Sequence, residues 1–177
     1  MTLFIRRFIG ALVLDAGAYE DIESDRGAGA SAVLVIALAC AAGAFAAKSL
    51  SVAGSAGFAI AMLMMIGWWI VWAMLITAIG TRLLPEPQTR SNPSELLRSI
   101  GFAAAPGTLY AFAAIPVAAA YVFVLVSVWM IAATVIAVRQ ALDYTTTWRA
   151  AAVCVIAWLL SFGVIAAVSM MFTTRVE

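Results

Sequence analysis

Long uncharged runs alternate with short charged segments along the chain. Four such runs contain 21, 33, 40 and 25 residues, at 27–47, 49–81, 99–138 and 150–174. A transmembrane helix needs about 20 apolar residues to cross a hydrocarbon core of about 30 Å. The first, second and last runs therefore predict one helix each, at 28–47, 58–80 and 150–172.

The 40-residue run is too long for one transmembrane helix. A single α-helix of this length would extend about 60 Å, twice the thickness of the core. Pro116 is the predicted break, because proline removes a backbone donor and disfavours helix in the residue before it. The run predicts helices at 93–114 and 117–139, joined by a tight turn as an antiparallel hairpin. The predicted fold is all-α and polytopic, with five transmembrane helices.

This pattern divides the chain into three parts. Residues 1–27 form an N-terminal segment, residues 28–172 form the five-span domain, and residues 173–177 form a short external tail. Within the domain, residues 49–57 are mostly small. They are predicted to be the loop between the first two spans.

The N-terminal segment opens with a short apolar stretch at residues 3–14. Arg6, Arg7 and Gly10 fall near one helical face, which predicts a short helix in the membrane interface. A simple membrane-buried cap is the alternative. A removable signal peptide is disfavoured, because only seven residues separate the arginines from Asp15 and no small-residue cleavage pattern follows.

The distribution of cations predicts the orientation. With five spans, one side of the membrane holds eight cations, which are Arg6, Arg7, Arg26, Arg82, Arg90, Arg98, Arg139 and Arg149. The other side holds Lys48 and Arg175. The positive-inside rule then places the N-terminus in the cytoplasm and the C-terminus outside.

The composition agrees with a membrane protein and excludes several chemistries. The 177 residues are 66% hydrophobic and 11% charged, with a mean hydropathy of +1.08. Soluble domains are about 45–50% apolar and about 25% charged. The chain has no histidine, which removes the commonest general base and metal ligand. Ten cations against nine acids provide no basic field for nucleic acid.

The two cysteines, Cys40 and Cys154, both lie in apolar runs. Neither has a nearby histidine or a second cysteine at metal-ligand spacing. They are interpreted as small buried hydrophobic residues. The sequence predicts no metal site and no cofactor.

An acidic patch at residues 19–25 precedes the first span and holds four carboxylates. One interpretation is a site for a cation or a basic partner. The other is a solvated segment that caps the first span, since carboxylates favour helix N-termini.

A second polar group is expected at the cytoplasmic end of the third and fourth spans. Asn92, Pro93 and Glu95 have the spacing of a capping box. The antiparallel hairpin should then bring together four charged residues, which are Glu95, Arg98, Arg139 and Asp143. Such a cluster either locks the hairpin or lines an ion entrance.

Two features within the spans stand out. Residues 101–107 read Gly-Phe-Ala-Ala-Ala-Pro-Gly. A proline inside a span predicts a kink in the helix. The residues of this predicted kink are Gly101, Phe102, Pro106 and Gly107. Trp68 and Trp72 lie one helical turn apart near the middle of the second span. They predict either helix packing or a groove for a lipid or another hydrophobic ligand.

At these positions the chain resembles the Yip1-domain family of five-span membrane proteins. Gly101 to Pro106 is similar to the G-Y-x-x-x-P motif of the family's third span. Residues 138–142 and the threonine-rich loop after them resemble prokaryotic members, and the likeness covers about residues 10–172. Eukaryotic members of the family bind Rab-type GTPases and carry a D-L-Y-G-P segment. This segment is absent from the present sequence. The resemblance implies a bacterial member without a Rab partner.

Together these observations favour a non-enzymatic scaffold or organiser in a bacterial cytoplasmic membrane. Its expected partners are membrane lipid, other membrane proteins or further copies of itself, and not nucleic acid. The alternative is a small channel, or a lipid- or solute-handling transporter with a path lined by hydroxyl groups and tryptophan. An intramembrane protease is disfavoured, because the spans contain neither a Ser–His pair nor two aspartates.

Overall fold

A computed structural model describes residues 2–49, 57–87 and 92–173. Every regular element within these ranges is a helix, so the predicted all-α class is confirmed. Most of the predicted loop at 49–57 and of the predicted tail at 173–177 lies outside the described residues.

Within the described ranges, four helices are long and apolar enough to cross a membrane. They are α3 (Ala28–Ser49), α4 (Gly57–Ala78), α6 (Ala119–Ala141) and α7 (Thr147–Thr173). Each matches a predicted span to within a few residues. A π-helical turn, Ile79–Leu83, continues α4 beyond its last α-helical residue. Helix α3 packs against α4, α4 packs against α7, and α7 packs against α6.

The third predicted span is not one continuous helix. It begins with α5 (Pro93–Phe102) and continues as a 3₁₀ helix (Ala105–Ala114), which is called the 3₁₀ segment below. Pro106 has no N–H to donate to the preceding turn, so the α-helical pattern cannot pass through it. The Gly107 N–H donates to the Ala104 carbonyl at 2.8 Å, three residues earlier, as in a 3₁₀ helix.

The 3₁₀ segment packs between α3 and α6. Residues 115–118 connect it to α6, and the Ala118 N–H donates to the Ile115 carbonyl within that turn. The side chains of Tyr110 and Ser127 share a hydrogen bond of 2.8 Å across the pair. The segment and α6 are thus direct neighbours with a short connection.

Two further helices precede α3. Helix α1 (Leu3–Leu12) matches the predicted N-terminal helix, whereas α2 (Ala16–Ser24) forms from the acidic patch and was not predicted. Leu14 reverses the chain between them with a positive φ of 62°. A Cβ atom on Gly10 would overlap the Ala18 Cβ, so only glycine permits this antiparallel approach.

The buried residues form two cores. The first lies between α1, α2, α3, the broken third span and α6, and it is rich in alanine. The second lies between α4, α7 and the ends of α5 and α6. Cys40 belongs to the first core and Cys154 to the second, and both are free thiols. Their interpretation as buried hydrophobic residues agrees with this placement.

Candidate functional site

A polar cavity of about 540 Å³ opens at the end of the bundle where α2 and α6 end and α5 begins. We call it the acidic cavity. Its lining residues are Glu20, Glu23, Ser24, Glu95, Arg139, Gln140, Asp143 and Tyr144. Four of these eight side chains are carboxylic acids and one is a guanidinium, so the cavity carries an excess of negative charge.

The start of α5 fixes the position of Glu95. The Asn92 side chain accepts a hydrogen bond of 3.2 Å from the Ser94 N–H, and the Glu95 Oε2 accepts one of 3.1 Å from the Asn92 N–H. This reciprocal arrangement is the predicted capping box, with Pro93 at the first helical position. Glu95 therefore points back towards the end of the bundle, where the cavity lies.

The end of α6 fixes Asp143 and Tyr144. Asp143 has a φ of 52°, and the Tyr144 N–H donates to the Arg139 carbonyl at 3.0 Å, which is the geometry of a Schellman cap. The chain reverses here, so both side chains remain beside the last turn of α6. The Tyr144 hydroxyl donates to the carbonyls of Gly80 and Leu84, at 3.0 and 2.8 Å. This side chain thereby ties the cavity wall to the π-helical turn.

Glu23 has the most perturbed carboxyl group of the cavity. Its pKa is raised from 4.5 to about 7, first because the carboxyl is half-buried and then because Asp143 and Glu95 repel a further negative charge. The Arg98 guanidinium opposes this effect without cancelling it. Near neutral pH the Glu23 carboxyl is therefore partly protonated.

The structure brings together three members of the predicted charged cluster, Glu95, Arg139 and Asp143, in the acidic cavity. The fourth, Arg98, is buried and its Nη2 donates to the Glu23 carbonyl at 2.6 Å. Arg98 thus binds the backbone of α2 beside the cavity. Helix α2 supplies two cavity acids that the hairpin prediction did not include.

The acidic patch divides between the two predicted roles. Asp21 and Asp25 pair with Arg7 at 2.9 and 2.6 Å, and Asp25 also accepts from the Gly27 N–H at the start of α3. These contacts lower the pKa of both aspartates, first through the hydrogen bond to Arg7. By contrast, Glu20 and Glu23 line the cavity. One part of the patch therefore pairs with α1 and the start of α3, and the other part lines the acidic cavity.

A buried acid that the sequence did not single out lies nearby. Glu86 is 8% exposed, accepts from the Thr145 N–H at 3.1 Å and pairs with Arg149 at 3.2 Å. It joins the segment after α4 to the loop before α7. The sequence signals for this contact were the two prolines beside Glu86 and the threonines of the facing loop. Their positions in the sequence do not predict that these two loops contact each other.

Metal coordination does not suit the donors in the described ranges. They contain no group of three or more His, Cys, Asp or Glu side chains placed to hold a metal ion.

The predicted kink is the break in the third span, and its residues pack tightly. Phe102 and the following alanines are buried. A Cβ on Gly101 would lie 2.8 Å from the Ala32 Cβ, and one on Gly107 would lie 2.9 Å from the Ala39 Cβ. Both glycines therefore allow close approach to α3. The break is enclosed by protein, as irregular backbone at membrane depth requires.

Only one of the two predicted groove tryptophans lines a groove. Trp68 borders an apolar groove of about 490 Å³ between α4 and α7, together with Gly67 and Ser161. Trp72 packs instead against the second core, where its indole Nε1 is buried with no hydrogen-bond partner among the described residues.

Helices of this length and hydropathy define the class of the protein, which is an all-helical integral membrane protein. More particularly, the chain belongs to the Yip1 domain family, whose model matches residues 10–168. The match begins in α1 and ends in α7. It includes the break in the third span and all residues of the acidic cavity. No curated protein and no solved structure matches the chain.

Proposed function

We propose that this Yip1-domain protein is a non-enzymatic scaffold of the bacterial cytoplasmic membrane, which holds a partner protein through the acidic cavity. The partner inserts a basic side chain between α2, α5 and the end of α6. The observation that carries the proposal is the charge of the cavity, where four carboxylates face one guanidinium. Burial and, after it, the repulsion from Asp143 and Glu95 raise the pKa of Glu23, and a cation placed in the cavity offsets both effects.

Five membrane crossings are part of the proposal. Helix α5 and the 3₁₀ segment together extend about 35 Å, because ten residues rise about 1.5 Å each and ten rise about 2.0 Å each. Helix α6 extends about the same distance. The third span is therefore long enough to cross although its longest α-helix has ten residues. Eight of ten cations then fall on the side of the acidic cavity, which supports a cytoplasmic location for it.

A role without catalysis fits the chemistry of the cavity. General acid–base catalysis pairs a donor and an acceptor of different pKa around a bound substrate. Here the chain contains no histidine, and most ionisable side chains of the cavity are acids. Such a site binds positive charge better than it moves protons between reacting atoms.

The test is native mass spectrometry of the protein extracted gently from its own membrane. We expect a stoichiometric second protein with the wild-type chain, and its loss from the double variant Glu20→Gln, Glu23→Gln. The control is Asp15→Asn, the same amide replacement at one exposed carboxyl outside the cavity, which should retain the partner. Equal partner occupancy in all three proteins would overturn the proposal, as would a wild-type homo-oligomer without a second protein.

A second candidate function is transport of a lipid or another apolar solute. The apolar groove beside Trp68 supports it, because this groove opens on the surface of two membrane helices. Flux across protein-containing vesicles should then fall in Trp68→Ala and remain unchanged in Trp158→Ala. Wild-type flux equal to that of empty vesicles would exclude this function.

A further inference from the structure

The α1–α2 pair extends along the bundle and does not lie flat across its end. At one end of the pair, Glu23 lines the acidic cavity at the end of α6. At the other end, the Leu12 carbonyl accepts a hydrogen bond of 2.8 Å from the Trp129 indole N–H. Trp129 lies twelve residues before Ala141, the last residue of α6, which is about 18 Å along the helix axis.

This depth places the turn of the pair near the middle of α6, whose full length is about 34 Å. Because α6 is one of the helices able to cross a membrane, its middle lies in the hydrocarbon. We propose that α1 and α2 form a re-entrant hairpin, which enters the bilayer from the leaflet at the C-terminal end of α6 and whose outer face contacts the acyl chains of that leaflet. The proposal does not depend on which side of the membrane is cytoplasmic.

The outer face of α1 has the chemistry that acyl chains require. Ile5, Ile9 and Val13 recur every fourth position and are 42, 44 and 66% exposed, so they form one apolar stripe. The stripe continues onto the exposed apolar surface of α6 around Trp129 and Val128. Continuity with a surface that faces lipid identifies lipid as the occupant.

The polar groups on the inner face of the hairpin are paired, as burial in a bilayer demands, whereas Arg6 and Glu20 are exposed nearer its open end. The Arg7 side chain is 6% exposed and bonds to Asp21 and Asp25. The Tyr19 hydroxyl donates to the Ala11 carbonyl, and the Leu12 carbonyl is satisfied by Trp129. The C-terminal end of α1, where carbonyl groups lack helical partners, thus receives a donor from a transmembrane helix.

Asp15 opposes insertion most strongly, because it is exposed at the turn. Its Oδ1 accepts a hydrogen bond of 3.0 Å from the Gly17 N–H at the start of α2, which offsets part of the cost of a buried charge. Removing this charge should leave the hairpin inserted at least as deeply.

The hairpin also covers the break in the third span. Helix α1 packs against both α5 and the 3₁₀ segment, and the rings of Phe4 and Phe102 lie 6.3 Å apart. Without this cover, one side of the irregular backbone would face acyl chains, which cannot supply hydrogen bonds. The re-entrant hairpin therefore completes the enclosure provided by α3 and α6.

Depth measurements by nitroxide labelling test this inference. Single labels are attached to Ile5→Cys, Ile9→Cys or Val13→Cys in a Cys40→Ala, Cys154→Ala chain, reconstituted in vesicles of phosphatidylethanolamine and phosphatidylglycerol. Collision with oxygen reports hydrocarbon, and collision with a water-soluble nickel chelate reports water. Val128→Cys on α6 is the hydrocarbon reference, and Thr146→Cys in the loop before α7 is the aqueous reference.

We expect the oxygen-to-nickel collision ratio at position 13 to match that at position 128 and to exceed that at position 146 about tenfold, since the bilayer core excludes water. The ratio should fall from position 13 through 9 to 5, and Asp15→Asn should not lower it. A ratio at position 13 equal to that at 146 would overturn the proposal by placing the hairpin in water. Low collision rates with both reagents would overturn it by placing a protein surface, such as a second copy, over the stripe.

Discussion

The same end of the bundle holds one buried carboxylate, Glu86, and the four carboxylates of the acidic cavity. The two differ in the hydrogen-bond donors and cations around them. Glu86 is buried and binds the Thr145 backbone, the Thr145 hydroxyl and Arg149. The acidic cavity gathers four carboxylates around Arg139, whose hydrogen bonds go to the Tyr144 carbonyl and the Thr147 hydroxyl. The Glu86 carboxylate is surrounded by donors and holds two loops together, which stabilises the fold. In the proposed function, the excess of acids over guanidinium groups in the cavity instead attracts a basic side chain of the partner.

The largest expected difference between the two groups appears on truncation. Glu86→Ala should lower the free energy of unfolding by about 2–3 kcal/mol, because it removes charged hydrogen bonds from a buried site and leaves Arg149 without its partner. Glu20→Ala, in the exposed part of the cavity, should change it by less than about 0.5 kcal/mol. Chemical unfolding of both variants in detergent micelles measures the difference. Equal losses would remove the distinction between a structural acid and a binding acid.

Tyr144 lines the acidic cavity and is followed by Thr145, which binds Glu86, so a change at Tyr144 should give an intermediate effect. Tyr144→Phe keeps the ring in the cavity wall and removes the hydroxyl that bonds to Gly80 and Leu84. We expect a loss of about 1 kcal/mol in the free energy of unfolding, the usual contribution of a neutral hydrogen bond. Partner occupancy in native mass spectra should not change. A loss of the partner without a loss of stability would instead place the hydroxyl in the binding site.

The smallest effect concerns the pH dependence of stability. The folded pKa of Glu23 is raised above its ordinary value, so the folded chain binds more protons than the unfolded chain between about pH 4.5 and 7. Stability should therefore fall as the pH rises through this interval and level off above it. Glu23→Gln should flatten this slope, as measured by melting temperatures from pH 5 to 8.

The control for the pH experiment is Asp21→Asn. The pKa of Asp21 is lowered by Arg7, so its contribution to stability is present at neutral pH and is lost only as the solution becomes strongly acidic. This variant should lower the melting temperature at every pH from 5 to 8 without changing the slope. If the melting temperature of the wild-type chain did not change with pH in this interval, ionisation of Glu23 would cost the folded protein no stability.

The long helices were predictable because their signal is local. Uninterrupted apolar runs and the charges that end them placed α3, α4, α6 and α7 to within a few residues. The capping box at Asn92 was predictable for the same reason, since its residues are neighbours in sequence. The 3₁₀ segment was not, because the sequence predicts only that Pro106 disturbs a helix. How many residues leave the α-helical form depends on how the alanines after Phe102 pack between α3 and α6.

The acidic cavity was predictable only in part. Antiparallel packing of α5 and α6 follows from the chain pattern, and it brought Glu95, Arg139 and Asp143 together as predicted. The contribution of α2 depends on the Arg98–Glu23 contact, between residues 75 positions apart. No local pattern encodes this pairing. For this reason the sequence predicted the acidic patch and the charged cluster of α5 and α6 as two separate features.

The hydrogen bond between Trp129 and Leu12 has a consequence for biosynthesis, because 117 residues separate its two partners. At about 5–20 residues per second, a ribosome takes on the order of ten seconds to make that length of chain. During this time α1 and α2 exist without the helices that cover them. The N-terminal hairpin is therefore synthesised well before α6, against which it docks, and a factor that shields nascent apolar segments has time to act there.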